Sequence, residues 1–129
     1  MSSQPLHVLA LDTSTEACTV ALQHASGLEE IFRIIPRDHN RQILPMLQEI
    51  LTRAELQFQE LDLFVVGRGP GSFTGLRIAT GVVQGLAFGL GKPVVPVSTL
   101  ACLAQGQFRT GGQLQIMVAL QARRDEIYW

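Results

Sequence analysis

Between Val66 and Arg77 the chain sets three glycines within five residues, in the run Val66-Gly67-Arg68-Gly69-Pro70-Gly71-Ser72-Phe73-Thr74-Gly75-Leu76-Arg77. An apolar segment, Leu61 to Val66, feeds this loop, and a long helical pattern leaves it. That order dictates a strand, a tight turn and a helix N-terminus. Glycine supplies the positive φ angles and close backbone approach that such a turn needs, and Ser72 is placed to cap the first free amides of the helix. Amides pointing outward from a helix start suit an anion. A turn that merely packs tightly satisfies the same residues, so both readings stand at this point.

The familiar phosphate and nucleophile motifs do not fit. A P-loop needs Lys and then Ser or Thr after its second glycine, and this loop holds no lysine. A dinucleotide fingerprint needs a third glycine where Thr74 stands and an acidic residue about 20 positions on, where the chain reads Leu90-Gly91-Lys92. A nucleophile elbow needs glycine two residues before and after its serine. Ser72 has Pro70 and Thr74 there, which makes it a cap rather than a nucleophile.

Around the loop, short apolar runs alternate with turn signals. Leu6–Leu11, Ala17–Leu22 and Leu28–Ile35 read as three antiparallel strands joined by polar breaks. A helix is expected from about Asn40 to Ala54. Ile43, Leu44, Leu47, Ile50, Leu51 and Ala54 make one wide apolar face, and Pro45 should kink or delay it. Leu61–Val66 is a fourth strand, Ser72 to about Leu90 a second helix ended by Gly91, and Pro93–Val97 a fifth strand. Ser98 should cap a short helix to about Gly106, followed by a polar link from Gln107 to Gln113 and final strands at Gln113–Leu120 and Glu126–Trp129. Three antiparallel strands followed by strand–helix alternation predict an α/β, ribonuclease-H-like mixed sheet with helices on its faces.

Composition narrows the function classes. At 129 residues, 47% hydrophobic and 16% charged, the chain suits one globular domain. A net charge of −1 offers no general attraction to nucleic acid. Cys18 and Cys102 are too few for a disulfide framework and read as small buried hydrophobes in a reducing compartment. The N-terminus lacks a basic export signal. The apolar stretch Ile78–Leu90 is shorter than the ~20 residues of a membrane span, so a soluble cytoplasmic protein is expected. The abrupt stop at Trp129, after an apolar run, suggests one lobe, residues 1–129, of a two-lobed protein.

Five stretches carry a resemblance to a known family. They are Ala10-Leu11-Asp12-Thr13-Ser14-Thr15-Glu16, Leu44-Pro45-Met46, the Gly67–Arg77 run, Pro96-Val97-Ser98-Thr99-Leu100, and Ala122-Arg123-Arg124-Asp125-Glu126-Ile127-Tyr128-Trp129. In this order, over nearly the whole chain, they resemble the TsaB (YeaZ) family, accessory proteins for threonylcarbamoyladenosine formation in tRNA. The resemblance implies an actin-like ATPase superfamily lobe without catalysis of its own. Its expected partners are a second copy, a paralogous metal-dependent threonylcarbamoyl transferase (TsaD-like) and a small P-loop ATPase (TsaE-like). It would meet tRNA only through the complex, with no membrane partner and no cofactor. The alternatives are a self-sufficient actin-like ATPase or a glycoprotease-like hydrolase.

The resemblance also places individual residues. In that superfamily the hairpin beginning at Asp12 embraces phosphates, and Asp12, Ser14, Thr15, Gly69, Gly71 and Ser72 become the vestigial phosphate-facing set. The superfamily's ATPases carry glycine where Ser14 stands, and the serine side chain crowds that approach. The residue-level alternative for Asp12 is capping the hairpin turn. The paralogue holds its metal through two histidines one helical turn apart. Here His39 is followed one turn later by Ile43, so no metal is expected and His39 reads as a solvated residue at a helix start. Gln121 stands where the family pattern has aspartate.

Association is the positive signal. Gly81, Gly85 and Gly89 repeat every four residues in the second helix, and each interior glycine costs about 1 kcal/mol against alanine. Close approach of a partner helix and packing on the chain's own sheet both compensate such a stripe. The expected seam comprises Ile43, Leu47, Ile50 and Leu51 of the first helix with Ile78, Gly81, Val82, Gly85 and Leu86 of the second.

Overall fold

A computed structural model describes residues 4–122 and 124–129. The chain forms β1 (Val8–Asp12), β2 (Ala17–His24), β3 (Gly27–Ile34), α1 (His39–Arg53), β4 (Leu63–Gly67), α2 (Phe73–Leu90), β5 (Val94–Val97), α3 (Thr99–Gly111), β6 (Leu120–Gln121) and β7 (Ile127–Tyr128). The first five strands make one sheet in the order β3-β2-β1-β4-β5. β1, β2 and β3 are antiparallel neighbours, while β4 and β5 continue the sheet parallel to β1. This is the ribonuclease-H-like layout that the order of runs predicts.

Register builds the core. Leu9 lies opposite Leu22 and Phe64, and Leu11 opposite Val20 and Val66. These buried side chains share one sheet face by the two-residue period of strands. Both helices cover that face. α1 buries Ile43, Met46, Leu47, Ile50 and Leu51, and α2 buries Gly75, Ala79, Val83 and Ala87. α2 is long and apolar enough by length and composition for a membrane span, with mean hydropathy 1.2, yet it lies with one face packed on the sheet.

Several expectations change. Leu6 lies outside β1 and is exposed because β4 begins only at Leu63, the partner of Val8. A 3-10 turn at Phe58–Glu60 delays β4 in the same way, although Leu61 is buried. α1 runs through Pro45, which sits on the solvent side and leaves the carbonyl one turn before it without its helical donor. α3 continues past Gly106 to Gly111 and stops at Gly112, whose φ of 70° is left-handed. Gln107 and Arg109 are good helix formers, so polarity there marks an exposed helix rather than a link. The expected strand Gln113–Leu120 shrinks to Leu120–Gln121, because among the described residues its only ladder partner is the short β7. Arg123, within the expected final strand pair, lies outside the described residues.

Candidate functional site

The loop after β4 and the turn after β1 meet at one end of the sheet. Asp12 ends β1, and its Oδ1 accepts from the Ser14 amide (2.8 Å) and the Ser14 hydroxyl (2.6 Å). The aspartate therefore does cap its own hairpin turn. Ser14 gives its carbonyl to the Ser72 amide at 2.7 Å, and Ser72 caps α2 by accepting from the Gly75 amide at 3.2 Å.

Thr13 makes the tightest join. Its buried hydroxyl donates to the Gly75 carbonyl and accepts from the Ala79 amide. The hydroxyl is thus inserted into the first turns of α2, bridging a donor and acceptor that would otherwise pair directly. Gly67, Gly71 and Gly75 explain how this fits. A Cβ at Gly67 would strike the Asp12 carboxylate, one at Gly71 would meet Ser14, and one at Gly75 would strike the Thr13 carbonyl. Gly69 alone takes its place for conformation, with φ of 98°. The four-residue spacing of Gly67, Gly71 and Gly75 was visible in the sequence, whereas Thr13 as the wedge was not.

Of the six phosphate-facing candidates, Asp12, Ser14, Gly71 and Ser72 are brought together, but against each other. The Thr15 hydroxyl accepts from the Ala17 amide at 3.1 Å, and the Gly69 carbonyl accepts from Thr99 at 2.9 Å. Beside them lies a cleft of about 270 Å3, lined on its other side by Leu120, Gln121 and Tyr128 of the β6–β7 hairpin. A larger cavity of about 740 Å3 opens between the two helix starts, with Arg37, His39, Asn40 and Thr74 on its wall.

His39 corrects an expectation. It is only 7% exposed, and its Nε2 lies 3.2 Å from the Ala17 carbonyl, so it ties the α1 start to β2. Ile43, one turn on, is in the core. Among the described residues no three His, Cys, Asp or Glu side chains form a metal-holding group. Cys18 is buried as expected, and burial pushes its thiol up to about 11, with the Arg33 charge acting against that shift and Asp12 adding to it. Cys102 departs from expectation and is exposed, because α3 lies on the surface. Ser98, like Ser72, accepts a helix amide and is engaged as a cap.

The interface candidates divide sharply. Ile43, Leu47, Ile50 and Leu51 are fully buried against the sheet and cannot meet a partner. Their wide face is consumed by one sheet, and Leu44 is the apolar α1 residue left outside. On α2, Ile78, Val82 and Leu86 are half-buried beside the core. Gly81, Gly85 and Gly89 point to open space, with nothing within 4 Å of where their Cβ atoms would stand. The stripe is therefore not packed on this chain's own sheet. Phe88 beside it is 92% exposed, and at the other end Arg77 stacks over exposed Phe73 at 5.2 Å.

Residues 32–129 match the TsaD family, described as tRNA N6-adenosine threonylcarbamoyltransferase. Over 96% of its length the chain is 45% identical to the tRNA threonylcarbamoyladenosine biosynthesis protein TsaB of Escherichia coli K12. The chain belongs to the TsaB (YeaZ) family. The TsaB of Haemophilus influenzae is likewise 45% identical over 98% of the chain. The solved YeaZ of Pseudomonas aeruginosa superposes with a TM-score of 0.93 at 50% identity, over 97% of this chain and 59% of that one. The Holliday-junction protein RuvC of Thermus thermophilus shares the fold alone, with a TM-score of 0.50 at 14% identity over 74% of this chain and 66% of that one. The chain spans 54% of the E. coli TsaB and 53% of the H. influenzae protein, about half of each.

Proposed function

We propose that this chain is an accessory lobe of the machinery that forms threonylcarbamoyladenosine in tRNA, acting as a docking partner of the paralogous transferase rather than as a catalyst. The observation that carries this reading is the outward glycine stripe of α2. Glycines at Gly81, Gly85 and Gly89 lower the helix surface, so a facing helix can approach closely, while Phe73 and Phe88 flank the depression as apolar anchors. Leu44 of α1 is a further exposed apolar side chain. A two-helix seam of this kind buries on the order of 1,200–2,000 Å2 in a specific complex.

The hairpin chemistry supports catalytic silence. The Ser14 amide and hydroxyl that would face a phosphate are both bonded to Asp12, and Ser72 is committed to its cap. Contact with tRNA runs through the complex, since a net charge of −1 gives this chain no basic footprint. A small P-loop ATPase joins the assembly, which is cytoplasmic. A second copy competes for the α2 face, so self-pairing and pairing with the transferase exclude each other there.

The test is co-purification of the tagged chain with the paralogous transferase from the same source. Wild type should retain the transferase, and Phe88→Asp should lose it while keeping native circular dichroism. Retention by a folded Phe88→Asp variant overturns the reading of this face.

A further inference from the structure

β3 (Gly27–Ile34) forms an edge of the five-stranded sheet and, among the described residues, pairs with β2 alone. The two-residue turn Ala25–Ser26 makes His24 and Gly27 a hydrogen-bonded pair, and the pattern alternates from there. Odd-numbered residues of β3 therefore bond to β2. Leu28, Glu30, Phe32 and Ile34 turn their N–H and C=O groups outward, and among the described residues these groups bond to no other element. The edge is eight residues long, regular in register and free of proline. Its outer sheet face exposes Leu28, Phe32 and Ile34, with Phe32 at 65%.

Edges like this are usually blocked by charge. Here the charges favour one self-pairing instead. A two-fold antiparallel partner must match outward-bonding residues with each other, so the possible registers step by two. With the axis at Ile31, Leu28 falls opposite the other copy's Ile34, and Glu30 opposite its Phe32. Glu29 then falls opposite the other copy's Arg33, once on each side of the axis. Those two pairs occupy non-hydrogen-bonded positions, where side chains come closest, about 4.5 Å between Cα atoms. Moving the axis to Glu30 puts that carboxylate opposite itself. Moving it to Phe32 sets Arg33 opposite Ile31 and removes both ion pairs.

We propose that β3 is a pairing edge for a second copy of this chain, antiparallel about Ile31, with reciprocal Glu29–Arg33 pairs fixing the register. Arg33 already holds Glu49 of α1 at 2.7 Å, so the incoming Glu29 joins an ordered guanidinium. The seam continues the sheet at its edge and leaves the outer face of α2 free. Two copies joined this way present two docking faces, independently of which partner takes them. Pairing of two eight-residue strands lies below the standard interface size of about 1,200 Å2, so the association is dilution-sensitive.

The experiment is multi-angle light scattering over a dilution series of the full 129-residue chain, in a Gly85→Leu background so that self-pairing through α2 does not enter. The mass average should climb from 14.1 kDa toward twice that value with concentration. Glu29→Arg alone and Arg33→Glu alone each set like charges across the axis and should weaken the dimer about tenfold or more. A one-to-one mixture of the two variants restores opposite charges at both positions and should recover the wild-type mass curve. A monomer at every concentration, a dimer indifferent to both substitutions, or a mixture that fails to recover each overturns the proposal.

Discussion

Two glycine triplets in this chain share a spacing of four and have opposite physical roles. Gly67, Gly71 and Gly75 stand where a methyl group would meet the β1–β2 hairpin, whereas Gly81, Gly85 and Gly89 face open space. The expected outcomes therefore differ in sign. Gly85→Ala should raise unfolding stability by about 0.5–1 kcal/mol, because alanine loses less backbone entropy in a helix. Gly75→Ala should lower it by about 1–3 kcal/mol or more, since the Thr13 carbonyl in its way is backbone. Thr13→Val should cost about 1–3 kcal/mol by leaving the Gly75 carbonyl and the Ala79 amide without the hydroxyl. Urea melts of the three variants check the pattern. The spacing was legible in the sequence, but which triplet is covered depends on the hairpin some 60 residues earlier, a contact no local pattern encodes.

Among the elements, β1 to β5 and the two long helices followed from period and turn chemistry, because each is bounded by a local signal such as the Ser72 cap or Gly91. Errors arose where a distant partner decides. The apolar face of α1 looked wide enough for both core and seam, yet the sheet takes Ile43, Met46, Leu47, Ile50 and Leu51 together. The apolar run from Gln113 lacks a long strand to pair with and leaves Leu114 and Met117 89% exposed. His39 gives no local sign that Ala17, 22 residues earlier, will enclose it.

The two cysteines report on element burial directly. At pH 8 a thiol reagent should label Cys102 on exposed α3 at once and Cys18 on β2 only after unfolding. Burial raises the Cys18 thiol from 9.0 to about 11, so the folded state keeps a proton that the unfolded chain releases first. Its contribution to stability is complete below pH 9 and declines as pH rises toward about 11. Melts across that window should show the fall in the wild type and a smaller one in Cys18→Ala.

On the scale of the whole molecule, the sheet packs both long helices on one face, so α2 reaches solvent as a long, apolar, glycine-lowered ridge. Within the β1–β2 hairpin Asp12 accepts from Ser14, and Thr13 ties the hairpin to the first turns of α2. The turn residues Asp12, Ser14 and Ser72 are engaged in holding the fold while the glycine face of α2 stays open, and this contrast supports the docking role proposed above. The most direct measurement is the affinity of the paralogous transferase for this chain and for Gly85→Leu, by calorimetric titration. The mutation fills open space, so the variant should stay folded and bind at least about tenfold more weakly, a loss of about 1.4 kcal/mol. Equal affinity for a folded Gly85→Leu variant would contradict the claim that the glycine face of α2 is where the transferase docks.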